Sequence, residues 1–254
     1  MPPALSSTTT GAGPRLVLLH GFTNTARTWG SFADLLTPHY EVLALDLPGH
    51  GRSSAIEADL WGSSDLVAHA MGTELALVVG YSMGARVALH LALAHPERIS
   101  GLVLIGATAG IDDDEARAER RRADEAMAAD LRRSGDVRGF LERWLTGPLF
   151  AHLPAAVQFL DERCTNTAAG LASSLEQCGT GTQAPLWDRL GELSMPTLLV
   201  AGSRDEKFTA LGARLAEAIP SGGLVVLEGL GHATHLENPE AMATVIQSFS
   251  QSLG

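Results

Sequence analysis

Short runs of valine, leucine and isoleucine recur along the chain at residues 15–19, 41–45, 75–79, 102–105, 197–201 and 224–227. They are apolar at nearly every position rather than at alternate ones, the pattern of strands buried on both faces of a parallel sheet. Between them the apolar residues repeat with a helical period, most clearly over 85–94 and 211–219. Strand alternating with helix in this way predicts an α/β protein with a mostly parallel, doubly wound sheet.

The alternation stops after Ile105 and resumes only near Pro196. The intervening stretch of about 85 residues is charged, helical in pattern and poor in β-branched runs, and it is too long for a loop. It predicts a helical cap inserted over the sheet, with residues 1–110 and 191–254 forming the core and 111–190 the insertion. Asp112, Asp113, Asp114 and Glu115 open an arginine-rich helix there. A helix dipole favours acids at that end, so this run needs no functional reading.

Composition narrows the partners. With 254 residues, 45% of them hydrophobic, the chain can bury the core of a single domain carrying a modest insertion. A formal charge of −11 argues against nucleic acid and anionic membrane surfaces, which its field would repel, and leaves a small molecule as the expected partner. Residues 1–14 have neither the basic start nor the apolar centre of a signal peptide, and no run reaches the roughly 18 apolar residues of a membrane span. A cytoplasmic protein with a frayed amino terminus, monomeric by default, is the expectation. Cys164 and Cys178 lie apart from any histidine at ligand spacing, so free thiols are expected, and no metal.

The chemistry begins at Gly80-Tyr81-Ser82-Met83-Gly84, a G-x-S-x-G between a strand run and a helical run. That context predicts a nucleophile elbow, a turn so sharp that small residues must flank the serine. A serine hydroxyl needs a base to take its proton and a carboxylate to orient that base. In this arrangement the chain order is serine, acid, histidine. Asp205, after the strand run at 197–201, and His232, after that at 224–227, satisfy the order at carboxyl ends of strands, where open α/β sheets bind ligands. His20, His50, His90, His95 and His235 read as packed or hydrogen-bonded core residues, and His232 with His235 forms an H-x-x-H lacking the remaining signals of a zinc site. The backbone N–H groups of Met83 and of Phe22, in the His20-Gly21-Phe22 loop, are the candidate oxyanion donors, although Phe22 could simply line a pocket. The turn Asp46-Leu47-Pro48-Gly49-His50-Gly51 reads as a structural loop near the site.

These motifs, LHGF, DLPGHG, GYSMGAR, GSRDEKF and GHATHLENP, span nearly the whole chain and resemble the α/β-hydrolase superfamily. More narrowly they resemble the 2-succinyl-6-hydroxy-2,4-cyclohexadiene-1-carboxylate (SHCHC) synthases of menaquinone biosynthesis (MenH). That resemblance rests on Arg86, one helical turn after Ser82; on the A-E-R-x-R-x-D segment 118–124, which carries an anion-binding arginine onto Arg120; on Trp144 with the following Pro148 and Phe150; and on Lys207-Phe208 after Asp205. It implies an α/β-hydrolase fold, no cofactor, and a lyase that expels pyruvate from a small polyanionic substrate. It further implies substrate contacts from Tyr81, Arg86, Arg120, Trp144 and Lys207. Ala85 departs from the family, where a second glycine is common.

Each of these side chains has an ordinary alternative. Arg86 could pair with an acid on the sheet rim, the arginines 120–122 could be a solvated face, Trp144 could be cap core, and Lys207 could be surface. Lys207 is nevertheless the single lysine among 18 basic residues, two positions past the candidate acid. A serine hydrolase of the same fold, such as a carboxylesterase, an enol-lactonase or a carbon–carbon hydrolase, would use the same triad without needing the cations. A non-catalytic receptor that keeps the pocket is the reading from a different class.

Overall fold

A computed structural model describes residues 3–253. In chain order it contains β1 (Ser7–Thr10), β2 (Arg15–Leu19), α1 (Gly30–Leu36), β3 (Glu41–Leu45), α2 (Leu60–Met71), β4 (Ala76–Tyr81), α3 (Met83–Ala94) and β5 (Ile99–Ile105). Then follow α4 (Asp114–Ser134), α5 (Val137–Leu145), α6 (Leu160–Arg163), α7 (Ala168–Cys178), β6 (Thr197–Gly202), α8 (Glu206–Ala218), β7 (Gly222–Leu227), α9 (Thr234–Glu237) and α10 (Pro239–Gln251).

The seven strands form one sheet in the order β1-β3-β2-β4-β5-β6-β7, parallel throughout except for β1. The amino-terminal segment corrects the expectation of fraying. Ser7–Thr10 pairs antiparallel with β3 from Ser7 opposite Leu45 to Thr10 opposite Val42. All four residues of β1 are exposed, so the strand has no apolar signature and is held by its ladder hydrogen bonds alone. Met1 and Pro2 lie outside the described residues.

The continuous apolar runs have the reason anticipated for them. Val17, Leu19, Val78, Leu102 and Leu104 face one side of the sheet with α2 and α3, while Leu16, Leu18, Val79, Val103 and Ile105 face the other with α1 and α10. Alternate side chains thus serve two cores, and in the central strand β4 every position is buried.

Between β5 and β6 the described chain holds helices but no strand. Ala128, Leu131, Phe140, Leu141, Leu171 and Leu175 form an apolar cluster of their own within this insertion. Phe22, Trp144 and Leu160 contact it from its edge, and Leu145, Phe150 and Leu153 of the same segment pack into the sheet-face core shared with α1 and α10. Asp113 caps α4 by accepting from the Ala116 N–H at 2.8 Å, and Gly135 ends it in the left-handed conformation.

Candidate active site

β4 passes into α3 through Ser82 alone, whose φ of 53° and ψ of −107° lie where a residue with a side chain is strained. The Ser82 N–H donates to the Ile105 carbonyl at 2.8 Å, and its own carbonyl accepts from the Arg86 N–H at 3.2 Å, so β5 and α3 hold the turn. α3 starts against the end of β2, where a Cβ on Gly84 would overlap the Leu19 carbonyl. Backbone cannot yield as a flexible side chain can. Gly84→Ala is therefore expected to destabilise the fold by about 3 kcal/mol in urea unfolding, and a loss below about 0.5 kcal/mol would refute the close approach.

Asp205 ends the turn after β6 and caps α8, accepting from the Phe208 N–H at 3.4 Å. Its other oxygen accepts from His232 Nδ1 at 2.6 Å, and His232 Nε2 lies 3.2 Å from Ser82 Oγ. A proton on Nδ1, shared with the carboxylate, leaves the Nε2 lone pair facing the hydroxyl. Gly106 makes room for the ring, since a Cβ there would come within 2.6 Å of His232 Cε1. Glu237 holds the histidine loop from below, accepting from the Gly231 N–H at 2.7 Å and the Ala233 N–H at 3.2 Å. Sequence reasoning passed over Glu237 and Gly106, because neither belongs to a spacing rule that involves the triad.

Phe22 and Met83 line the same cavity as Ser82, and among the described residues neither backbone N–H has a protein acceptor. The Phe22 loop is fixed through Thr23, another positive-φ residue at 69°. The Thr23 N–H donates to His50 Nε2 at 3.2 Å, its carbonyl accepts from Asn166 Nδ2 at 2.8 Å, and its hydroxyl accepts from Arg163. His20 spans the same region, donating from Nδ1 to the Gly21 carbonyl at 2.8 Å and accepting the Leu47 N–H on Nε2 at 3.0 Å. Asp46 accepts from the Ala26 and Arg52 N–H groups, so its turn ties loops together.

Burial pushes His20 and His90 down to about 4 and His50 and His235 to about 3, with the nearby Arg163 guanidinium acting in the same direction on His235. Each folded value lies below the unfolded value near 6.5, so the unfolded chain takes up these protons first. Stability is expected to be level above about pH 6.5 and to fall from there toward pH 4, with a slope approaching about 1.4 kcal/mol per pH unit for each histidine. Urea midpoints that stay constant from pH 7.5 to 5 would show that these rings are not held neutral.

Ser82 opens onto a cavity of about 490 Å³. Arg86, Arg120, Trp144 and Lys207 all line it. Arg86 is 6% exposed and among the described residues has no carboxylate partner; its Nη1 donates to the Cys178 carbonyl at 2.6 Å and to Gln183 Oε1 at 3.4 Å. Burial lowers it to about 10, which leaves it charged at neutral pH. Arg120 Nε donates to the buried Asp124 at 2.8 Å, whereas Arg121 turns to the Gly181 carbonyl. Trp144 packs edge-on to Phe22, and its buried Nε1 has no partner among the described residues.

Tyr81 is placed differently from its expected contact with substrate. It does not line the cavity but lies buried against His232 and His235, with ring centroids 5.4 and 4.5 Å away. As the last residue of β4 it points to the sheet face opposite α3, a consequence of strand alternation. His235 packs on Trp29 as well, at 4.6 Å between centroids. Among the described residues no group of three or more histidine, cysteine, aspartate or glutamate side chains could hold a metal ion. Nor is any described helix long and apolar enough to cross a membrane.

The sheet, the strained serine turn and the acid and histidine at strand ends define a class, and the profile of the "Alpha/beta hydrolase family" matches residues 16–245. The chain belongs to the alpha/beta hydrolase family. Within it, the chain is 34% identical over 248 residues to the 2-succinyl-6-hydroxy-2,4-cyclohexadiene-1-carboxylate synthase of Salmonella agona (strain SL483), covering 94% of each. It is similar to the solved structure of MenH from S. aureus, with a TM-score of 0.91, 30% identity and 98% of both chains covered. It is also similar to a thermophilic esterase from Thermogutta terrifontis solved with malate bound, with a TM-score of 0.85, 27% identity, and 98% and 93% covered.

Proposed function

We propose that the protein is an SHCHC synthase, a carbon–oxygen lyase that eliminates pyruvate from 2-succinyl-5-enolpyruvyl-6-hydroxy-3-cyclohexene-1-carboxylate (SEPHCHC). The observation that carries this reading is the cavity itself, where Ser82 shares walls with Arg86, Arg120 and Lys207 in a chain of charge −11. An anionic substrate approaching an acidic protein needs local cations to offset the general field. Arg86, desolvated and without a carboxylate partner among the described residues, is such a cation.

Ser82 and His232 act together as the base, with Asp205 holding the ring and stabilising its charged form. They remove a proton from the substrate ring; electrons shift through the ring, the bond to the enolpyruvyl oxygen breaks, and the released enolpyruvate becomes pyruvate. The Phe22 and Met83 N–H groups face the developing enolate oxygen. No step needs a cofactor. Trp144 and the helices between β5 and β6 cover the ring as a cap and exclude water from the intermediate.

The test is pyruvate release and SHCHC formation by the purified chain from freshly generated SEPHCHC. A kcat/KM at or above about 10⁴ M⁻¹s⁻¹ is the expected result. A serine hydrolase acting on a small carboxylate-bearing ester is the second reading, favoured by the likeness to the malate-bound esterase. Brisk ester hydrolysis without pyruvate would establish that reading instead.

A further inference from the structure

The cavity has a fourth cation at its mouth. Arg214 lies on α8 seven residues after Lys207, with Leu211 between them, and that spacing puts all three on one helix face, where all three line the cavity. The guanidinium carbon of Arg214 stands 3.6 Å from the centroid of the Trp187 ring. Trp187 is in turn fixed by donation from its Nε1 to the Gly110 carbonyl at 3.1 Å. On its edge, Arg214 Nη2 donates to Asp112 Oδ2 at 2.5 Å, and both side chains are about half exposed, at 50% and 47%. Asp112 lies 102 residues away in sequence, in the segment leading from β5 into α4.

We propose that Arg214, assisted by Lys207, is a carboxylate subsite for the outer end of the ligand, and that the Asp112 carboxylate occupies it in the free protein. The proposal rests on the reading of the ligand as a small polycarboxylate. The protein's own carboxylate on Arg214 shows the chemistry that the position accepts. A half-exposed pair of this kind contributes little to stability, so a ligand carboxylate exchanges with Asp112 at small cost. The guanidinium, laid flat on a fixed indole, keeps its hydrogen-bonding edge oriented for the newcomer. Arg86 and Arg120 belong to α3 and α4 and Arg214 to α8, so a ligand with carboxylates at two ends is held from different walls of the cavity.

The experiment is calorimetric titration of the full chain with two stable probes, benzoate and benzoate carrying a succinyl chain at position 2. The dicarboxylate is expected to bind the wild-type protein at least tenfold more tightly than benzoate. Arg214→Gln is expected to remove most of that ratio by weakening the dicarboxylate alone, and Asp112→Asn to tighten the dicarboxylate two- to fivefold by removing its competitor. A ratio unchanged in Arg214→Gln, weaker dicarboxylate binding by Asp112→Asn, or no preference in the wild type would each overturn the subsite. Both side chains are half exposed, and circular dichroism checks that the variants fold. Pyruvate release from SEPHCHC by the wild type is scored separately, so failure of the synthase reading and failure of the subsite give different results.

Discussion

Ser82→Ala is expected to lower kcat for pyruvate release by about 10³-fold or more while substrate binding stays within a few-fold of wild type. In the proposed mechanism the hydroxyl, 3.2 Å from Nε2, is the group through which His232 reaches the substrate. The Phe22 and Met83 N–H groups remain in the variant, so a small residual rate persists. Because serine and histidine work as one unit, Ser82→Ala combined with His232→Ala should be little slower than either alone. Stopped-flow measurement of pyruvate under single-turnover conditions separates chemistry from binding. Near-normal turnover by Ser82→Ala would remove the serine from the mechanism, and multiplicative losses in the double variant would mean that the two residues act independently.

The second large effect is expected at Arg86, and its sign differs between activity and stability. Arg86 is buried on α3 with a carbonyl and an amide oxygen as partners, so folding places a cation in a poorly solvated site. A ligand carboxylate then meets a charge that has already lost its water, and removing such a partner costs about 3 kcal/mol, or about 10²-fold in kcat/KM. Arg86→Met keeps most of the volume and removes the buried charge, so its thermal midpoint should equal or exceed that of the wild type. Arg120→Met should cost less on the same substrate, since Asp124 already takes part of that guanidinium and its side chain is 37% exposed. Kinetics on SEPHCHC beside a neutral activated ester, together with thermal melts, tests both signs. Equal losses on the two substrates, or a lower melting midpoint with unchanged kcat/KM, would contradict the assignment.

Much of the site was legible because it follows local rules. G-x-S-x-G requires small residues where α3 crosses the end of β2, and that requirement is written in five consecutive residues. Asp205 and His232 follow apolar runs, so their place at strand ends could be read from the order of elements. Strand alternation turns one chain neighbour of Ser82, Tyr81, away from the cavity, whereas the other, Met83, lines it. The Tyr81 ring packs against those of His232 and His235.

The sequence by itself determined the doubly wound sheet, the candidate triad and the choice of arginine and lysine near it, since burial period, turn sterics and residue order are properties of short segments. Only the tertiary structure decided which cations have partners. Arg86 meets Cys178 and Gln183, and Arg214 meets Asp112 across 102 residues; Arg120 pairs with Asp124 one turn along its own helix, and there the distant turn at Gly179 to Gly181 supplies the burial. It also decided that β1 exists, because four exposed residues carry no apolar period and become a strand only when β3 offers its edge. A charge acquires its strength from desolvation and from the groups around it, and distant segments supply both only once the chain has closed around the cavity.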